Sequence, residues 1–295
     1  VILGIDQLEA LTQLAITAAR AAGETINRHR KNKVQVHYKD RGTSSASQVV
    51  TEVDHKAQAD ILKILEPSCA QYDLALLTEE SPDNGQRLKK AAFWSIDPMD
   101  GTLAFINNTP GFSVSIALVA QNGCPLIGVV YDPVTENLFH AMRNKGAYKN
   151  GNALAIPPLD HRKPLILQTD FSFQKHPWFN QTLTELKEIA HKLELNGADI
   201  QYAAGGVLTA CKILETPNTC YFKYPRTNNS GGSLWDYAAT ACLFHAAEAV
   251  ATDIYGQPMD LNRADSTFMN HRGLLYAARR TLAKEIMLLH EKLSR

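Results

Sequence analysis

The stretch Trp94-Ser95-Ile96-Asp97-Pro98-Met99-Asp100-Gly101-Thr102 constrains this chain more than any other. An apolar strand, Phe93 to Ile96, runs directly into two carboxylates three positions apart, with a proline between them. Pro98 has a fixed φ and biases Asp97 toward an extended shape, so the spacing predicts a sharp turn just past the strand end. Both carboxylates then face one point at the mouth of a sheet. Gly101 permits close backbone approach, and the N–H groups of Gly101 and Thr102 would cradle an anion if a helix starts there. Two bare carboxylates at this range repel until one takes up a proton, so the arrangement calls for a cation. Magnesium, held by a few carboxylates plus substrate phosphate, suits such a donor set. The bland alternative is an Asp-Pro turn followed by an Asp-Gly turn. It leaves the length and strand-to-turn context of the string unexplained.

Composition sets the remaining bounds. The 295 residues are 45% hydrophobic and 20% charged, which suits one large globular domain or two of ordinary size. Thirty basic residues balance thirty acidic ones, so neither a nucleic-acid polymer nor a membrane surface is an expected partner. No apolar run approaches the length of a membrane span, and no secretory leader pattern opens the chain. Cys69, Cys124, Cys211, Cys220 and Cys242 are odd in number and scattered. That usage fits reduced thiols in a cytoplasmic setting rather than a disulfide frame or zinc site.

Along the chain, Asp6-x-x-Glu9 reads as a capping pair for a helix that places Leu8, Leu11, Leu14, Ala15, Ala18, Ala22 and Ile26 on one face. A short strand, Val34 to Tyr38, precedes a small polar loop, Asp40 to Ser47, read as mobile. Val49-Val50-Thr51 leads into a second helix with Ala57, Ile61, Ile64 and Leu65 inward and Asp54 near its first turn. Capping alone would account for Asp54. Leu74 to Leu77 forms a strand that ends on Thr78-Glu79-Glu80. After Thr102 the pattern becomes an antiparallel meander whose turns are Asn122-Gly123, Asp132-Pro133 and Asn144-Lys145-Gly146. Asp132-Pro133 lacks the following Asp-Gly-Thr and is read as a turn. Asn150-Gly151 through Pro157-Pro158 marks a boundary, predicting an α+β unit over 1–153 and an α/β unit over 154–295. In the second unit, Gly205-Gly206 opens one helix, and Asp236 lies at the start of another behind Gly231-Gly232. By itself Asp236 would be an N-cap.

Four segments together carry a family resemblance. Asp97-Pro98-Met99-Asp100-Gly101-Thr102, Thr51-Glu52-Val53-Asp54, Glu79-Glu80-Ser81 and Leu234-Trp235-Asp236-Tyr237-Ala238-Ala239 occur in the order found in the inositol monophosphatase superfamily, and they span nearly the whole chain. The chain resembles those magnesium-dependent, lithium-sensitive phosphatases. The resemblance implies a layered αβαβα sandwich of the inositol monophosphatase and sugar phosphatase type. It further implies that Glu79, Asp97 and the Met99 carbonyl bind one magnesium, and that Asp97, Asp100 and Asp236 bind a second, with a third, weaker ion near Glu79. Glu79 rather than Glu80 matches the family's ligand. Two ions about 3.5–4 Å apart can clamp the attacking and leaving oxygens of an in-line displacement. Asp54 and Thr102 look like the catalytic pair that aligns the attacking water, with the N–H groups of Gly101 and Thr102 on phosphate oxygens. A homodimer stays open.

The ester itself is read from the segment before Asp236. Tyr221-Phe222-Lys223-Tyr224-Pro225-Arg226-Thr227-Asn228-Asn229 mixes aromatics with two cations and has no acidic residue, whereas inositol monophosphatases tend to carry one there. Lys223 and Arg226 suit a second phosphate and the aromatics suit a base. This resembles the 3'(2'),5'-bisphosphate nucleotidase branch, with adenosine 3',5'-bisphosphate as the expected substrate. Inositol 1-phosphate is the alternative, and a fructose-1,6-bisphosphatase relative shares the metal chemistry. A non-catalytic phosphate sensor or partner protein is the rival of another class; it would be expected to have lost a ligand or the Asp54–Thr102 pair. One departure from the family is Glu248-Ala249, where two glycines usually follow the Asp236 helix.

Overall fold

Two sheets and the helices between and around them stack in five layers. The computed structural model describes residues 3–30, 36–38, 49–203, 205–229 and 232–295. The loop at 40–47, Val34 and Gly231, all named above, lie outside the described residues.

Helix α1 (Ile5–His29) begins two residues earlier than the Asp6–Glu9 pair predicts, with Gly4 at the cap and the Gln7 side chain accepting the Gly4 N–H at 2.8 Å. Strands β1 (Val36–Tyr38) and β2 (Val49–Thr51) form an antiparallel pair. Helix α2 (Glu52–Tyr72) follows directly, capped by Thr51. Then come β3 (Ala75–Thr78), β4 (Ala92–Asp100) and a short helix α3 (Thr102–Ile106). The predicted meander is β5 (Ser113–Ala120), β6 (Pro125–Asp132), β7 (Asn137–Met142), β8 (Gly146–Lys149) and β9 (Asn152–Ala153). Strands β3 to β9 make one seven-stranded sheet in sequence order, parallel between β3 and β4 and antiparallel beyond. Asp132 accepts the N–H groups of Val134 and Thr135, so Asp132-Pro133 is a turn, as read.

The second part contributes β10 (Leu165–Thr169), α4 (Phe179–Lys192), β11 (Ala198–Tyr202), α5 (Gly206–Ile213), β12 (Thr219–Lys223), α6 (Leu234–Ala246), β13 (Val250–Thr252), β14 (Leu274–Ala277) and α7 (Arg280–Ser294). Its sheet has the order β11-β10-β12-β14-β13, parallel across β11-β10-β12 and antiparallel across the rest.

Three apolar clusters glue the layers. Leu11, Ala15, Ala18, Ala22 and Ile26 of α1 and Ala57, Ile61 and Leu65 of α2 pack on Trp94, Ile96, Ile116 and Val129 of the large sheet. On its other face Phe93, Ala117, Val119 and Val130 meet Val207 and Ile213 of α5, Ala238 and Leu243 of α6, and Tyr221 and Tyr276 of the smaller sheet. That sheet's far face is closed by α4 and α7 through Leu186, Ile189, Leu282 and Ile286. The result is the αβαβα sandwich that the resemblance implies. Strand β4 is buried on both faces, which is why Phe93, Trp94 and Ile96 do not alternate with exposed polar residues and even Ser95 between them is buried. Gly128 lets the sheet approach α6 closely, since a Cβ there would collide with the Ala239 carbonyl and Cys242.

Helix α6 stops at Ala246 with Glu248 in the left-handed region at φ 59°. The Ala249 N–H still reaches the Phe244 carbonyl at 2.8 Å, so the missing glycine leaves the helix end in place under backbone strain.

Candidate active site

The carboxylate-rich string does not leave the sheet at Ile96. Strand β4 runs on to Asp100, and its register against β5 slips by one residue: Asp97 pairs with Ser115, and Asp100 with Ser113. This bulge has a local cause. Pro98 has no N–H for the ladder, and the Met99 N–H turns back to Asp97 Oδ1 at 2.9 Å. The extra residue brings Asp97 and Asp100 to one side of the strand end. Gly101 then adopts φ 87°, a conformation open to glycine, and its missing Cβ leaves room for the Gly111 carbonyl.

Glu79 joins through the parallel pairing of β3 with β4. Thr78 pairs with Ile96, and the Glu79 N–H donates to the Ile96 carbonyl at 3.0 Å, so Glu79 lies beside Asp97 and shares a hydrogen bond with it. Asp236 arrives from the opposite layer. Ser115, the residue paired with Asp97, donates from its hydroxyl to the Trp235 carbonyl at 3.1 Å and anchors the start of α6. Carboxylate oxygens of Asp97, Asp100 and Asp236 all lie within 4.8 Å of one another.

Asp236 is not the N-cap. Ser233 caps α6, and Asp236 stands three residues on, its Oδ2 accepting the Ser233 N–H at 2.8 Å. Asp54 repeats the device: Thr51 caps α2, and Asp54 Oδ2 accepts the Thr51 N–H at 2.7 Å and hydroxyl at 2.6 Å. In both capping boxes one carboxylate oxygen fixes the side chain to the start of its own helix. Asp54 is only 2% exposed, and its Oδ1 accepts from the Thr102 hydroxyl at 3.2 Å. The same hydroxyl lies 3.2 Å from the Met99 carbonyl. Asp54, Glu79, Asp97, Met99, Asp100, Gly101, Thr102 and Asp236 thus lie around one strand end.

Several partners were not legible in sequence. Asp100 Oδ2 accepts the Val207 N–H at 2.9 Å and also bonds the Gly206 N–H, so it closes the N-terminus of α5. Gly205-Gly206 signalled a helix start, but nothing in the string signals a partner a hundred residues away. Asp170 is the second. It caps the 3₁₀ turn Phe171–Lys175, and its Oδ2 lies 3.7 Å from Lys223 Nζ. An acid therefore does stand beside the Tyr221–Arg226 segment, from another strand. Lys223 itself is threaded between the rings of Tyr221 and Tyr237, with Nζ 3.3 Å from the Tyr237 hydroxyl. Arg226 is more peripheral, with Nη2 3.4 Å from the Ser172 hydroxyl.

The electrostatics are those of acids crowded out of water. Burial, then the charges of Glu79, Asp236 and Asp100, push Asp97 well above the usual carboxylate range. Burial raises Asp100 to about 6 against the pull of the Val207 and Gly206 N–H groups and Lys223. Asp236 is pushed up to about 8 by burial and by Asp100 and Glu79, opposed by the Ser233 N–H and Lys223. Such a cluster holds protons or a cation. Its donors are hard carboxylate oxygens plus one carbonyl, with no thiol or imidazole among them, and this chemistry fits magnesium.

Comparison with known proteins points to one family. The sequence model of the inositol monophosphatase family matches residues 7–293. The Nus factor SuhB of Escherichia coli strain K12 is 30% identical over 249 residues, covering 84% of this chain and 87% of the relative. An inositol-1-monophosphatase from Synechocystis sp. is 29% identical over 257 residues, covering 87% and 83%. Among solved structures, an inositol monophosphatase from Thermotoga maritima superposes with a TM-score of 0.73 at 20% identity, covering 96% of this chain and 97% of that one. The chain belongs to the inositol monophosphatase family.

Proposed function

We propose that this protein is a magnesium-dependent phosphomonoesterase acting on a small phosphate ester, with 3'(2'),5'-bisphosphate nucleotides such as adenosine 3',5'-bisphosphate preferred. The observation that carries the phosphatase reading is the meeting of three carboxylates within 4.8 Å beside a threonine hydroxyl that rests on a buried aspartate.

Glu79, Asp97, Asp100, Asp236 and the Met99 carbonyl would hold the magnesium. When bound, magnesium supplies positive charge for the phosphate oxygens and acidifies water at neutral pH. Thr102 aligns the attacking water with its hydroxyl, and Asp54, pinned through Thr51, orients that hydroxyl and takes up the proton that it relays. The water oxygen bonds to phosphorus as the ester P–O bond breaks, and the departing alcohol takes a proton from solvent. The N–H groups of Gly101 and Thr102 hold phosphate oxygens. No side chain need become phosphorylated.

The nucleotide preference rests on the aromatic and cationic character of Tyr221 to Arg226, with Lys223 held toward the acids and Arg226 at the rim. A structural neighbour described as 2'AMP-bound SaIMPase-II supports it, at a TM-score of 0.70. SaIMPase-II is also described as bound to inositol monophosphate, and with the Synechocystis relative this favours inositol 1-phosphate as the second reading. The relatives named Nus factor favour a partner-protein role. Phosphate release from adenosine 3',5'-bisphosphate, inositol 1-phosphate and fructose 1,6-bisphosphate, with magnesium present, decides among them. Release fastest from the nucleotide is expected. Equal or reversed preference returns the chain to the inositol phosphates, and no release from any ester leaves the partner-protein role.

A further inference from the structure

Phe171 is 69% exposed, the most exposed of the large apolar side chains among the described residues. Its ring is not loose. It stacks on Tyr202 with centroids 4.7 Å apart and planes within 12° of parallel. Tyr202 is half-buried, so it backs the stack and leaves the second face of Phe171 to solvent. A flat apolar ring backed on one face and uncovered on the other is what an aromatic ligand uses for stacking.

Its position joins it to the acid cluster along two routes. Phe171 follows Asp170, whose carboxylate reaches Lys223, and the Lys223 charge acts on both Asp100 and Asp236. Tyr202 ends β11 in register with Thr169 of β10, and four residues on lies Gly206, at the helix start that binds Asp100. Four residues span at most about 14 Å, within the length of a nucleotide. Both rings lie at the C-terminal ends of neighbouring parallel strands, the edge where open sheets of this kind receive ligands. Arg226 adds a guanidinium to the same rim through Ser172, the residue after Phe171.

We infer that Phe171, backed by Tyr202, is a stacking platform for a planar ring on the alcohol side of the phosphate ester, the ring of a nucleobase. The inference rests on the phosphatase reading and deepens it: phosphate at the acids, base on Phe171, and the sugar between them. An aliphatic alcohol such as glycerol or inositol has no π-face to stack.

The test compares a ring-bearing substrate with one lacking a ring in the full-length, magnesium-loaded protein. The ratio of kcat/KM for adenosine 3',5'-bisphosphate to that for glycerol 2-phosphate should fall about tenfold in Phe171→Ala, mainly through KM for the nucleotide. Phe171→Trp should restore it, because a larger ring stacks at least as well, and Tyr202→Ala should lower it by removing the backing. Equilibrium titration with adenosine 5'-monophosphate and with ribose 5-phosphate reads the platform apart from turnover, and the ratio of their Kd values should shrink by a similar factor. If no ester releases phosphate, the phosphatase reading has failed and the titration alone decides the platform. If phosphate is released but both ratios are unchanged in Phe171→Ala and Tyr202→Ala, the platform is overturned and the phosphatase reading stands.

Discussion

Asp54→Asn separates the two jobs of this buried acid. In the native protein Oδ2 receives the Thr51 N–H and hydroxyl, and Oδ1 receives the Thr102 hydroxyl. An asparagine keeps its single oxygen on the two Thr51 donors, because turning its amide there would set donor against donor. The NH₂ group then faces Thr102, whose hydroxyl must accept from it and donate to the Met99 carbonyl instead. The cap survives, but two charge-assisted hydrogen bonds become neutral, costing about 1–1.5 kcal/mol each. For a chain of this size that lowers Tm by roughly 4–10 °C. The proton acceptor is lost outright, and kcat should fall about 10²–10⁴-fold. Asp54→Ala should reach a similar kcat but melt lower still, since it strands two buried donors on Thr51 at about 1–3 kcal/mol each. Phosphate release with saturating magnesium and thermal melts of both variants give the readings. A kcat within threefold of wild type in Asp54→Asn, or equal melting of the two variants, would refute the argument.

Other expectations follow from the same geometry. Asp97→Asn should abolish turnover and leave the melt of the magnesium-free protein no lower, because the side chain keeps its volume and loses a charge that burial and three neighbouring acids disfavour; turnover surviving exhaustive chelation of the unmodified protein would undo the metal assignment. In magnesium-free protein, Asp100 and Asp236 have folded pKa values of about 6 and about 8, above the unfolded value, so the unfolded state binds fewer protons and stability falls as pH rises from about 4 to 8. Melts across that range should show the decline, Asp236→Asn should flatten it, and magnesium should remove it; a melt that rises with pH would contradict the burial argument. Glu248→Gly should raise stability by about 0.5–1 kcal/mol, by relieving the left-handed strain at the end of α6, and an unchanged denaturation midpoint would show that strain is absent. Gly232→Ala should disturb Asp236 without altering any ligand, because a Cβ there would collide with Asp236 Oδ2 and the Tyr237 hydroxyl; magnesium affinity equal to wild type would show that the loop yields.

What the string of residues determined by itself was local. Periodicity placed the buried faces of α1 and α2, turn chemistry placed the meander, and the Asp97–Thr102 string marked a strand end crowded with acids, because each depends on neighbours a few positions apart. The spacings Thr51-x-x-Asp54 and Ser233-x-x-Asp236 are in the string too, but there Asp54 reads as a first-turn capping acid and Asp236 as the N-cap; the structure shows Thr51 and Ser233 as the caps, with each aspartate three residues on holding its cap N–H through one carboxylate oxygen. Tertiary structure decided what those second oxygens face. The one-residue bulge at Pro98 is visible only against β5, and the bond from Ser115 to Trp235 that delivers Asp236 joins opposite layers of the sandwich. Asp170 beside Lys223, Val207 on Asp100 and Phe171 on Tyr202 likewise join residues brought together only when parallel strands pair and helices dock on them. Period and turn type record which face of an element is buried; they carry no record of which buried faces meet, because burial is gained against any apolar partner and only packed geometry selects one.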